Sequence, residues 1–255
     1  MDTVQHKKFK ILLLGDNGVD QYQYGTVDRI SPEAPVPVIN YTHTITKPGM
    51  AANVKDNLEK LGCEVTFIHG HKTSVKTRII DSKSKQQLLR IDQDQQSRTI
   101  KIDWDILGEF DTVVISDYDK GSLDYETIEQ IINDFNGPIF IDTKKTDLQR
   151  FEGCYVKINQ KEFDSAKTYP KELIVTKGHK GAVYKNRLIP SLNIEAFDVC
   201  GAGDTFLSAL AYQYCNTSDI IKSIEFAIKA SSVTIQHIGV YSPTLEEIEA
   251  IDDTA

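Results

Sequence analysis

Asp198-Val199-Cys200-Gly201-Ala202-Gly203-Asp204-Thr205-Phe206 stands immediately before an apolar helical stretch, and its reading decides the fold. Gly201, Ala202 and Gly203 let the backbone turn tightly and leave amide N–H groups free at a helix N-terminus, where they can hold phosphate oxygens. Asp204 lies beside that anion site, with neighbours too small to crowd out a substrate hydroxyl. A carboxylate there can accept the proton of a hydroxyl attacking a γ-phosphoryl group. Because phosphoryl transfer is loose, ordinary basicity suffices. Taken alone, Gly-Ala-Gly-Asp also fits a glycine turn with an Asp cap. The sequence has no G-x-x-x-x-G-K-[ST], no G-x-G-x-x-G, no H-R-D and no D-F-G, which leaves out P-loop, dinucleotide-fold and protein-kinase readings.

Upstream of this motif, apolar strands alternate with helical stretches. Val113–Ser116, Tyr125–Phe135, Ile139–Asp142, Val156–Ile158 and Ile174–Thr176 follow one another as in a mostly parallel α/β sheet. Downstream, Gly201–Tyr214, Asp219–Gln236 and Thr244–Ile251 read as three helices. Near the start, Phe9–Gly15 is a continuous apolar run, expected to be a central strand buried on both faces whose end opens into a site. Gln21–Thr46, broken by Pro32, Pro35 and Pro37, suits exposed strands. Gly49–Leu61 has helical periodicity and stops at Gly62. Val65–Ile68 predicts a short strand, His69-Gly70-His71 a strand-end loop, and Thr77–Ile80 with Gln87–Ile91 a hairpin. With no linker or repeat in view, residues 1–255 are expected to form one domain.

Composition narrows the function. The 255 residues are 40% hydrophobic and 26% charged, with 29 Lys and Arg against 37 Asp and Glu and a net charge of −8. That balance, free of long charge blocks, argues against nucleic acid and anionic membrane as partners. The apolar run after Met1–Lys10 is too short for a signal segment or a membrane span, and the four cysteines are scattered. A cytoplasmic protein with reduced thiols is the expectation.

Asp198–Asp204 resembles the D-T-x-G-A-G-D signature of the ribokinase (PfkB carbohydrate kinase) family. Gly15-Asp16, Asp20 and Pro48-Gly49-Met50-Ala51-Ala52-Asn53 are similar to that family's sugar-binding region, Lys157–Glu162 to its P-N-x-x-E and Thr176–Gly181 to its T-x-G-x-x-G. Within the family, Arg29–Val38, Gln86–Asp92, Ser116–Gly121 and Asp142–Asp147 are similar to the kinase domain of the bifunctional heptose-7-phosphate kinase/heptose-1-phosphate adenylyltransferases. No adenylyltransferase half is expected after Ala255.

The resemblance implies a three-layer α/β/α sandwich with a small β-sheet lid, contributed by about residues 21–46 and 77–92. It also implies ATP, Mg2+ and transfer of phosphate to the anomeric hydroxyl of a sugar phosphate such as D-glycero-D-manno-heptose 7-phosphate. It makes Asp204 the base, with Gly201, Ala202 and Gly203 as the anion turn. Asp20, Gly49 and Asn53 would hold sugar hydroxyls, and Arg29, Lys120 and Lys144 are candidates for the distal phosphate. Asn159, Glu162, Thr176, Gly178 and Gly181 would line the nucleotide, with magnesium near Glu162 through water and no direct protein ligand. A homodimer through the lid strands is expected from their exposed edges. Each of these residues also has a local reading as turn, cap or solvated charge.

Four features depart from the family pattern: Met50 in place of a second glycine, a short His69–Lys76 segment, Thr143 for proline and Ile228 for a nucleotide-side asparagine. They keep two alternatives open, a kinase for another sugar or nucleoside and a sugar-phosphate binding protein that has lost transfer.

Overall fold

The computed structural model describes residues 8–251; most of the Met1–Lys10 segment lies outside them. The apolar run after Phe9 becomes β1 (Lys10–Ile30), and Ile11 to Leu14 are wholly buried. Strand geometry sends successive side chains to opposite faces. Ile11 and Leu13 accordingly join one cluster with Val54, Leu58 and Leu210, while Leu12 and Leu14 join another with Ile115, Ile128 and Ile131. These two cores make three layers around one sheet.

The remaining elements are β2 (Pro37–Met50), α1 (Ala51–Lys60), β3 (Glu64–Asp81), β4 (Gln87–Gln93), β5 (Thr112–Asp117), α2 (Tyr125–Asp134) and β6 (Ile139–Thr143). After them come β7 (Tyr155–Asn159), α3 (Gln160–Ser165), β8 (Leu173–Thr176), β9 (Ala182–Tyr184), β10 (Arg187–Ile189), α4 (Ala202–Thr217), α5 (Ile220–Thr234) and α6 (Leu245–Glu249). The strand order is β10-β9-β8-β7-β6-β5-β1-β3-β4, with β2 paired to β1. Strands β5 to β8 run parallel to β1 and step away on one side, while β3 lies parallel on the other. The direction of winding therefore reverses between β1 and β5, and in open α/β sheets ligands bind beyond the carboxyl ends of the strands at such a point.

The lid grows out of the same strands. Ile11–Gly15 of β1 pairs with β5, whereas Asn17–Ile30 of the same strand pairs with β2. The short strand expected at Val65–Ile68 and the hairpin arm at Thr77–Ile80 are one continuous β3. His69-Gly70-His71 lies inside it rather than in a loop at a strand end. The ladder jumps from Gly15↔His69 to Asn17↔Thr73, so extra β3 residues bulge out opposite Asp16. The absence of an intervening helix in the short His69–Lys76 segment lets the strand run straight through. The β9–β10 hairpin, not foreseen from sequence, turns on Lys185 and Asn186, both at positive φ (46° and 64°), as a two-residue I′ turn demands.

Candidate functional site

Asp204 sits in the first turn of α4, a helix whose N-cap, Gly201, is left-handed (φ 79°) and offers no side-chain cap. First-turn amides have no intrahelical acceptor, so this end of the helix could take an external anion. A methyl on Gly201 would come within 3.0 Å of Asn53 Nδ2, and one on Gly203 within 3.1 Å of Lys157 Nζ, so the turn admits only small residues. Ala202 completes it, its N–H turned back toward Val199 O at 3.3 Å.

The Asp204 carboxylate is 6% exposed and both oxygens are engaged. Asn53 Nδ2, from α1, donates to Oδ2 at 2.8 Å, and the Tyr118 hydroxyl donates to Oδ1 at 2.8 Å. Asn53 is itself steadied by Asn57, which donates to its carbonyl at 2.7 Å and accepts from Thr205 at 2.9 Å. Burial pushes the Asp204 carboxyl up to about 6, against the pull of the Asn53 and Tyr118 donors; Asp142 adds to the rise and Lys157 opposes it. A carboxylate so placed is still ionised at neutral pH, yet basic enough to take a proton.

A buried polar cluster lies at the root of the lid. Asp20, on β1 and 6% exposed, forms a buried ion pair with Arg78 of β3. Gly49 faces Asp20, where a methyl would stand 2.5 Å from Oδ2, so only glycine leaves that carboxylate its place. The Arg78 guanidinium stacks 5.3 Å from the Tyr22 ring centroid, and the Tyr22 hydroxyl accepts from Val240 N at 3.1 Å. Met50, in place of the family's second glycine, keeps the glycine-like backbone at φ 52° and buries its side chain against Gly18. The chain therefore retains the backbone path while bearing local strain.

A second cleft, of about 580 Å3, opens at the carboxyl ends of β7 and β8, lined by Asn159, Gln160, Lys161, Thr176 and the Lys177–Lys180 turn. Gly178 and Gly181 are both left-handed, and a side chain on Gly181 would strike the Ile189 carbonyl. Lys161, Lys177 and Lys180 give the cleft a positive rim. Lys157 connects the two regions: buried at 3% exposure on β7, its ammonium reaches Asp142 Oδ2 at 2.6 Å and Gly203 O at 3.2 Å.

The sequence-derived residues thus gather in part. Asp204, Gly201, Ala202, Gly203 and Asn53 meet at the start of α4, Asp20 and Gly49 pack together at the root of the lid, and Asn159, Thr176 and Gly178 line the second cleft with Gly181 behind it. Asn159 and Glu162 spend their polar atoms on a reciprocal capping box at the start of α3, and Glu162 also pairs with Lys144. Lys144 stands 5.2 Å from the Tyr118 ring centroid, and Lys120 pairs with Asp94 at 2.6 Å. Arg29 is apart from them: it is exposed near the tip of β1, nine residues beyond Asp20, or roughly 30 Å along an extended strand. Thr143 replaces proline with a hydroxyl that donates to Asp117 at 2.6 Å, and Ile228 is buried at 6% exposure in the core cluster of α5.

Sequence reasoning missed Arg78, Tyr118, Lys157 and Asp142 as site members. Lys157 carried a signal, a charge inside the apolar strand Tyr155–Asn159; Arg78 carried none, because only pairing with β1 sets it against Asp20.

Residues 50–248 match the pfkB family carbohydrate kinase model. The bifunctional protein HldE of a Nitratiruptor species is 32% identical over 95% of this chain and 64% of its own length, so the chain spans somewhat less than two thirds of that relative. Among solved structures, phosphofructokinase-2 from Escherichia coli superposes with a TM-score of 0.72 at 16% identity, over 94% of this chain and 97% of that one. Arabidopsis thaliana ribokinase, complexed with ribose and ATP, does so with a TM-score of 0.72 at 14% identity, over 95% and 98%. At these identities the two structures speak for the fold alone.

Proposed function

The chain belongs to the pfkB family of carbohydrate kinases and is an ATP-dependent sugar kinase, and we propose that its acceptor is the anomeric hydroxyl of D-glycero-D-manno-heptose 7-phosphate, with Asp204 as general base. The observation that carries this reading is the buried Asp204 carboxylate, set in the uncapped first turn of α4 beside Asn53. Similarity to HldE supports the heptose assignment.

Asp20 and Asn53 accept and donate to sugar hydroxyls, which would otherwise lose water without replacement on entering so buried a pocket. ATP lies along Asn159, Thr176 and Gly178, its phosphates drawn by the lysine rim toward the Gly203 amide. Asp204 takes the acceptor's proton as the new O–P bond forms, the bond from the γ-phosphorus to the bridging oxygen breaks, and ADP leaves with the electron pair. The first-turn amides of α4 and the Lys157 ammonium offset charge on the phosphoryl oxygens in transit.

Among the described residues no group of three or more His, Cys, Asp or Glu side chains converges as a metal site. A magnesium ion carried by ATP would be held by Glu162 only through water, since the Glu162 oxygens already pair with Lys144 and the Asn159 N–H. It would supply neutralisation of polyphosphate charge.

We read the chain as one kinase domain that dimerises through the lid, where Ile30, Val36, Tyr41, Ile45, Leu89 and Ile91 are exposed. Among the described residues no helix is long and apolar enough to cross a membrane.

ATP consumption measured against a panel of sugars, sugar phosphates and nucleosides, with and without Mg2+, tests the proposal. Turnover confined to heptose 7-phosphate supports it. Rapid turnover of another acceptor, or tight sugar-phosphate binding without ATP consumption, sinks it.

A further inference from the structure

The segment after β5 is pinned far more firmly than a surface turn requires. Asp16, buried at 2% exposure, accepts from the backbone N–H groups of Tyr118 at 2.8 Å, Lys120 at 3.0 Å and Ser122 at 3.2 Å. From the other side the buried Lys145 ammonium holds Asp117 at 3.0 Å and Asp119 at 2.9 Å, and Thr143 adds its bond to Asp117. Asp119 is kept at φ 56° by these contacts, a conformation a non-glycine residue holds only when its surroundings over-determine it. The residues on both sides of Tyr118 are thus fixed, and its hydroxyl is directed at Asp204.

We infer that Tyr118 is a positioning residue whose hydroxyl holds the Asp204 carboxylate in its ionised form and fixes its orientation toward the incoming acceptor. The inference rests on the reading of Asp204 as the base. A donor aimed at a carboxylate favours the charged form over the acid. Asn53 does the same on the other oxygen but is an amide, whereas Tyr118 is an O–H donor with a short reach to a single oxygen.

The charged groups around the pair come from four elements and the segment after β6. The ammonium groups of Lys76, on β3, and Lys144 stand 5.1 and 5.2 Å from the Tyr118 ring centroid. Burial, then Asp204, Asp142 of β6 and Asp20 of β1, push the phenol well above its ordinary range, so it stays a donor throughout the working pH range. Asp204 itself faces Asn53 of α1, Tyr118, Asp142 and Lys157 of β7.

The test is a 13C-carboxyl NMR titration of the aspartate-labelled, ligand-free 255-residue chain, with the Asp204 resonance assigned by its loss in Asp204→Asn. In Tyr118→Phe the Asp204 midpoint is expected to rise by about one pH unit, the worth of one hydrogen bond to a charged group. Replacing Tyr118 by 3-fluorotyrosine, which keeps size and strengthens the donor, should move the midpoint down. It decides the question if the phenylalanine variant does not fold. An unchanged or lowered midpoint in folded Tyr118→Phe, or a raised one with fluorotyrosine, overturns the inference. In turnover, the acid limb of kcat/KM should move with the midpoint, while a uniform loss at every pH would mark a merely structural role and overturn it too. Full turnover by Asp204→Asn would instead remove the base assignment and leave the titration result standing, so the two failures are told apart.

Discussion

Asp204→Asn separates chemistry from stability, because the two should move in opposite directions. Loss of a general base typically costs about a hundredfold to ten-thousandfold in rate, and that is the fall expected in kcat. The effect on folding follows from the same burial. The carboxyl titrates near 6 in the fold against a reference of 3.8. Roughly two units at about 1.4 kcal/mol each give an ionisation cost of about 3 kcal/mol at neutral pH.

For a raised carboxylate, the stability contribution is full below the unfolded value near 4 and is lost as pH rises through about 6. The wild type therefore carries the cost at pH 8 and not at pH 4. Asparagine removes it, but its carboxamide can accept from only one of the two donors, Tyr118 and Asn53, and leaving the other unmatched costs about 1–3 kcal/mol. The net change at pH 8 lies between zero and about 2 kcal/mol of stabilisation, a Tm rise of up to roughly 6 °C for a chain of this size. That advantage should vanish by pH 4.

The assays are coupled ADP release with Mg-ATP and heptose 7-phosphate, and calorimetry at both pH values. A folded variant with near wild-type kcat refutes the base assignment. A Tm lowered by more than about 5 °C at pH 8 refutes the account of the buried charge.

Three further outcomes are expected. Gly49→Ala places a methyl 2.5 Å from Asp20 Oδ2 and should raise the sugar KM about tenfold or more by displacing Asp20 from Arg78, with the ATP KM unchanged; an unaltered sugar KM removes Asp20 from the acceptor pocket. Gly203→Val brings a β-branched side chain against Lys157 Nζ and the phosphate-facing backbone, and should lower both thermal stability and ATP affinity; a fully active, equally stable variant shows that this turn is not the anion site. Light scattering at micromolar concentration should report a dimer that Val36→Glu with Val38→Glu converts to monomer; a wild-type monomer, or a dimer indifferent to those charges, counts against the lid interface.

Much of the architecture was legible because its signals are local. The 3.6-residue period of Ala51–Lys60 and the apolar runs of β5 to β8 each identify an element from within a few residues. The Gly201–Asp204 turn was legible as a turn for the same reason, since small residues before an apolar run mark where the helix begins. What escaped depends on pairing between distant segments. Nothing near Thr77 or Ile79 says that Arg78 will meet Asp20, 58 positions away. Nor does the sequence around Tyr118 reveal that its ring will cross to α4, 86 positions on. The continuity of β3 was hidden by Gly70 and its flanking histidines, which read as a break and prove to be a bulge.

Because β1 and β3 both pass from the core into the lid, β3 by way of its bulge, the lid is a cantilever clamped in the sheet rather than a flap on a pin. A clamped beam has no axis of rotation: it bends, and its displacement grows steadily with distance from the clamp. Asp20 and Arg78 stand near the clamp, and Arg29 and Ile30 at the free end, where a beam of this kind would be displaced most. A load applied at the tip, such as a second copy resting on it, would be transmitted along the ladder to the Asp20 carboxylate. Stiffness at the site is thereby set partly by what the far end touches.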